Sequence, residues 1–172
     1  MRFVDCWEGT PPLDVPCKVV GREGCDADPV DPTTEAGRLT LVSYVWPDQH
    51  ERIATLRAAL EVAARVPARL ERARATEWLA RRLAEPATAD VATVVFHSIV
   101  WQYLPDDERR LVRHTIEEAG ARATSSTPLA WLRFEPSADA RCAELRLACW
   151  PGGGDRLLAT AGFHGRPVRW LP

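Results

Sequence analysis

Lysine is nearly missing from this chain: of 22 basic residues only Lys18 is one. There is no basic excess either. The 22 basic residues face 24 acidic ones, for a net charge of −2 and an isoelectric point near 6.1, so the electrostatic footprint of a nucleic-acid binder is lacking. No run approaches the roughly 20 apolar residues that cross a bilayer. The opening stretch MRFVDCWEGTPPLDVPC carries acids and prolines where a secretory signal needs an apolar segment. No partner membrane is expected, and the expected location is the cytoplasm. No C-x-x-C occurs, and the cysteines (Cys6, Cys17, Cys25, Cys142 and Cys149) are odd in number. That argues against a disulfide framework and against metal binding. G-x-S-x-G and Walker A patterns are absent as well.

What is present is ordinary globular composition. Hydrophobic residues make up 46% and charged residues 27% of 172, enough for a single domain over residues 1–172 with its own core. Residues 1–17 read as an irregular lead-in punctuated by Gly9, Pro11, Pro12 and Pro16. Lys18–Val20 is a short strand candidate, followed by an acidic, turn-rich loop. Leu39–Val45 suits a strand or a buried helix segment. Pro47, Asp48 and Glu51 open a helix whose apolar positions Ile53, Leu56, Leu60 and Ala63 share one face, with Pro67 as its stop. A second helix is expected over 76–84 and a third over 106–119, with Gly120 as its stop. Val91–Phe96 is a β-branched run of the kind buried on both faces of a parallel sheet. Three apolar runs without helical period follow, with Pro151–Gly154 and His164–Gly165 as turns. Strands alternating with helices predict an α/β fold with a mostly parallel sheet, helices on both faces and a C-terminal antiparallel hairpin.

Candidate site residues cluster at the predicted strand ends. Asp26 and Asp28 follow the first strand in GCDADP, where a carboxylate accepts ribose hydroxyls or makes an ordinary turn. His97 and Ser98 follow the buried run. An imidazole there takes up a proton, orients a substrate, or bonds to nearby backbone. Trp101 and Tyr103 come next and are suited to stacking on a flat ligand or to core packing. Glu135 ends a later strand, facing the same crevice or solvent.

Taken together, GREGCDADPVDPTT, YVWPDQHER, TVVFHSIVWQYLP, PLAWLRFEP, ELRLACWPGG and HGRPVRWL resemble a bacterial family of uncharacterised proteins, domain of unknown function family 2332. Its longer members look like class I S-adenosylmethionine-dependent methyltransferases. That resemblance implies a Rossmann-like domain lacking its N-terminal part, the chain being a C-terminal portion, a truncated product or a degenerate copy. It places cofactor contacts on Asp26, Asp28, Ser98 and Trp101. His97 becomes the catalytic residue, and Tyr103 and Glu135 the contacts to an unknown small-molecule or protein methyl acceptor. Nothing in residues 1–20 resembles the family's Gly-rich loop, and no acid stands in Arg72–Ala75. A homodimer or a partner segment is expected to fill the missing strand. The alternatives are a non-catalytic binding or assembly module, or an enzyme using another nucleotide.

Overall fold

The computed structural model describes residues 6–66 and 68–171. The expected helix stop at Pro67 and the first five positions of the lead-in lie outside the described residues. The chain divides into two units, residues 16–75 and residues 6–15 with 76–171.

The first unit holds β2 (Glu23–Asp26), α1 (Glu35–Ser43), α2 (His50–Arg65) and β3 (Arg69–Arg72); β1 lies in the second unit and is given below. β2 and β3 form a two-stranded parallel sheet in which Asp26 stands opposite Arg72. The apolar run from Leu39 therefore belongs to a helix, and the strand expected at Lys18–Val20 falls a few residues later. α1 is started by side chains. The Thr34 hydroxyl accepts the Gly37 N–H at 3.0 Å, and the Asp31 carboxylate accepts both the N–H and the hydroxyl of Thr33. The first of these bonds satisfies a donor that a helix start leaves open; the other two fix the turn that leads into it. The Thr33 hydroxyl, followed by its N–H, holds the Asp31 carboxyl below its ordinary value. Gly37 lies against the Asp31 carbonyl, where any Cβ would overlap the oxygen. Only Gly37 and Leu60 are buried among the described residues of this unit.

The second unit carries β1 (Trp7–Glu8), α3 (Ala75–Ala84), β4 (Thr93–Ser98), a 3-10 turn (Trp101–Tyr103), α4 (Asp106–Ala121), β5 (Leu129–Pro136), β6 (Ala143–Trp150), β7 (Asp155–Ala161) and β8 (Val168–Trp170). Its six strands lie in the order β1-β8-β7-β6-β5-β4. Only the outer pairs, β1/β8 and β4/β5, are parallel; the three inner pairs are antiparallel.

This corrects the expected fold class. The sheet is mixed and mostly antiparallel, and no Rossmann-like arrangement with a mostly parallel sheet and helices on both faces is present. The reason is connectivity. Consecutive strands from β5 to β8 are joined by short turns, and a short turn can only reverse the chain; parallel neighbours need a long crossover. What was expected as a terminal hairpin is the body of the sheet.

The Val91–Phe96 run is corrected with it. β4 is an edge strand, and Val94 and Phe96 are 56% and 58% exposed. α4 lies against β5 and β6, with Val112, Ile116 and Gly120 buried. It runs past Gly120, which is not its stop but the point of contact with the Trp150 ring. Asp106, Asp107 and Glu108 occupy its first turn, where negative charge is stabilised by the helix dipole. A bulge between Leu145 and Arg146 shifts the β6/β7 register by one residue. No helix among the described residues is long and apolar enough to cross a membrane.

Candidate functional site

The site forms where β4 and β5 end side by side. Their parallel register sets His97 opposite Arg133, and the two-residue pleat of β5 puts Trp131, Arg133 and Glu135 on one face. Beyond Ser98, Ile99 adopts φ +50° while donating its N–H to the Phe134 carbonyl at 2.8 Å. That left-handed residue turns the chain back, so the next N–H groups point at β5. Glu135 collects them: its carboxylate accepts from Val100 at 3.1 and 3.2 Å and from Trp101 at 3.2 Å. It also lies 2.6 Å from His97 Nδ1.

A carboxylate that already accepts two backbone donors has only acceptor capacity left for the ring. Nδ1 therefore carries a hydrogen and donates it, and in the neutral ring Nε2 is left as the acceptor. Nε2 is buried and has no hydrogen-bond partner among the described residues. The imidazole is clamped between aromatic faces, stacked on Trp101 at 5.2 Å and 14° and tilted to Trp131 at 6.0 Å.

Three arginines stand around the ring, with the carboxylates of Glu135, Glu144 and Asp155 among them. Arg113 from α4 lies over Trp101 and Trp131, at 5.8 and 5.5 Å, and Arg133 lies over Trp131 at 4.4 Å. Arg133 is paired with Asp155, and Arg146 with Glu144 at 3.0 Å and Asp155 at 3.3 Å. Partial burial pushes the Asp155 carboxyl up. The Arg133 hydrogen bond and the charges of Arg133 and Arg146 outweigh that and hold it below the ordinary range. The hydrogen bond to Glu144 raises Arg146, with Asp155 adding to it against partial burial. Arg113 has no carboxylate partner among the described residues. A cavity of about 90 Å³ opens between His97, Trp101, Arg113, Arg133, Glu135 and Arg146.

Of the residues singled out in the sequence, His97, Trp101 and Glu135 meet here. Ser98 lies next to His97 with its side chain on the opposite face of the strand. Tyr103 is 73% exposed and does not line the cavity. Asp26 and Asp28 belong to the first unit. There Asp26 Oδ1 accepts the Asp28 N–H at 2.8 Å, and the Asp28 carboxylate is paired with Arg72.

This cavity is small for a ligand the size of S-adenosylmethionine. A cavity of about 90 Å³ falls short of the roughly 300 Å³ or more that pockets for ligands of that size offer. Both acids assigned to it are engaged in a turn and an ion pair. Trp131, Arg113, Arg133 and Arg146 were not foreseen. The alternation W-x-R-x-E over 131–135 carries the signal for two of them, since period two places all three side chains on the face that holds Glu135.

The family model described as an uncharacterised protein conserved in bacteria (DUF2332) matches residues 1–170. No curated protein and no solved structure matches the chain.

Proposed function

The chain belongs to DUF2332, a family of uncharacterised proteins conserved in bacteria, and from that premise we propose that the His97–Glu135 pair is a proton-accepting centre acting on an O–H or N–H group of a small anion. One observation carries this reading: Nε2 of His97 is buried and unpartnered among the described residues while Glu135 fixes the opposite nitrogen at 2.6 Å. A buried acceptor left open costs free energy, and a ligand donor would repay it. On proton transfer the substrate oxygen or nitrogen keeps its electron pair, Nε2 gains the hydrogen, and Glu135 balances the imidazolium that forms. Arg113 supplies the attraction for an anion.

Methylation of the deprotonated atom by S-adenosylmethionine is the finer form of the reading. The proton step does not depend on it.

The test is nitrogen-detected imidazole NMR with a panel of small hydroxy- and amino-carboxylates and phosphate monoesters. The expected result is the Nδ1–H form, with an Nε2 shift on addition of at least one compound that Arg113→Gln abolishes. An Nε2–H ring, or silence across the panel, would leave Glu135 as a purely structural clasp and favour a non-catalytic module. Calorimetry with S-adenosylmethionine and S-adenosylhomocysteine decides the finer form separately.

A further inference from the structure

Among the described residues β4 pairs with one strand, β5, and ends the six-stranded sheet. Thr93 donates its N–H to the Pro128 carbonyl and Ile99 to the Phe134 carbonyl. The odd-numbered residues of the strand therefore bond toward β5. By strict alternation, the N–H and C=O groups of Val94, Phe96 and Ser98 point to the edge away from β5. No hydrogen bond is made by these N–H groups among the described residues.

Native proteins protect such an edge with lysine, proline, a bulge or an inward charge. The segment TVVFHS has no lysine, no proline and no acid, and its pairing with β5 is unbroken over six residues. Val94 and Phe96 expose more than half of their surface beside it. An uncharged, β-branched edge of this length is a template for another strand.

We propose that this edge is the interface with a second copy of the chain, β4 pairing antiparallel with β4 of the partner about a two-fold axis at Phe96. The sequence is self-complementary in that register. The outward-pointing groups of Val94 meet those of the partner's Ser98, and Phe96 meets the partner's Phe96. Every outward N–H then finds a carbonyl, for about six new backbone hydrogen bonds. The two exposed phenyl rings form a cross-strand aromatic pair. No charge opposes a like charge, since 93–98 contains neither acid nor lysine nor arginine. A two-fold contact of one patch with itself closes after two copies, removing the edge without growth into fibres. The sheet would become continuous over twelve strands, twice the six of one unit.

Sedimentation velocity of the 172-residue chain over roughly 1–100 μM, combined with amide exchange, tests this. A dimer is expected, with slow exchange at Val94, Phe96 and Ser98 that becomes fast on dilution. Val94→Lys and Phe96→Lys, both at exposed positions, should each give a monomer with an unchanged circular dichroism spectrum. A wild-type monomer at the highest concentration overturns the proposal, whether its three amides exchange fast or are protected by some other strand. So does a dimer that survives both lysines. Should either lysine variant unfold, exchange at the three amides of the wild-type chain decides by its concentration dependence.

Discussion

Glu135 holds His97 from the neighbouring strand. Its Oε1 stands 2.6 Å from the ring nitrogen Nδ1, although the two residues are 38 positions apart in sequence. The same carboxylate takes the N–H groups of Val100 and Trp101, so one side chain orients the imidazole and fixes the chain that leaves β4. Glu135→Gln keeps the shape but removes the charge. Hydrogen bonds to charged groups contribute roughly 1.5–3 kcal/mol each to stability, and an amide retains part of that. A loss of about 2 kcal/mol in urea unfolding is expected, together with loss of the downfield Nδ1–H resonance of His97. A change below about 0.5 kcal/mol, the size of an ordinary surface substitution, would mean that the clasp contributes little.

Gly120 lies against the indole of Trp150, where a methyl group would overlap the ring. Alanine is the better helix former by about 1 kcal/mol, so propensity alone argues that Gly120→Ala stabilises. Overpacking costs roughly 1–3 kcal/mol, and the ring cannot swing aside as a flexible chain end would. Net destabilisation is expected by denaturant titration. Gly154→Ala, which meets nothing within 4 Å, serves as the control and should change stability little.

The start of α1 makes the same kind of demand on backbone space. A Cβ at Gly37 would collide with the Asp31 carbonyl, which also accepts the Thr34 hydroxyl. Gly37→Ala is expected to break this cap and cost about 1–2 kcal/mol. The readout is faster amide exchange over residues 34–40, and unaltered exchange there would count against the capping account.

Acid should weaken the cluster around Asp155. Its carboxyl lies below the ordinary value, so it binds protons less readily folded than unfolded. The stability it contributes is therefore fully present above the unfolded value of about 3.9 and is lost as pH falls through the lower folded value. With the side chain 44% exposed, solvent screens part of the effect. Unfolding midpoints measured between about pH 6 and pH 2.5 should fall at the acid end for the wild type, and less steeply for Asp155→Asn. Parallel curves would show that the pairs with Arg133 and Arg146 do not stabilise the fold.

The helices were the legible part of the sequence. α3 and α4 lie within a residue or two of their expected spans because their apolar periods and first-turn charges are local properties. The sheet was not legible, because a β-branched run reports strand propensity but not which edges are covered. VATVVF therefore reads as interior although β4 lies at the rim. His97 and Glu135 were each visible as candidates, but their meeting depends on the β4/β5 register, which is a long-range relation. Arg113 left no sequence signal: an arginine on an amphipathic helix looks solvated until the helix is docked.

The bulge in β7 has a consequence for how this chain tolerates change. Across β6, Asp155 pairs with Ala148 and Leu157 with Arg146; past the irregularity, Ala159 pairs with Leu145 and Thr160 with Glu144. The residues sharing the site face are thus odd-numbered before Leu158 and even-numbered after it. Deleting that single residue would leave composition, charge and hydrophobicity almost untouched. It would join Leu157 to Ala159, whose partners Arg146 and Leu145 are already adjacent, so the ladder would become regular and both sides would keep their faces, Asp155 with its arginines and Ala159 and Ala161 in the core. At this position the chain can lose one residue without either side changing face, whereas one residue more would have to be bulged out in its turn.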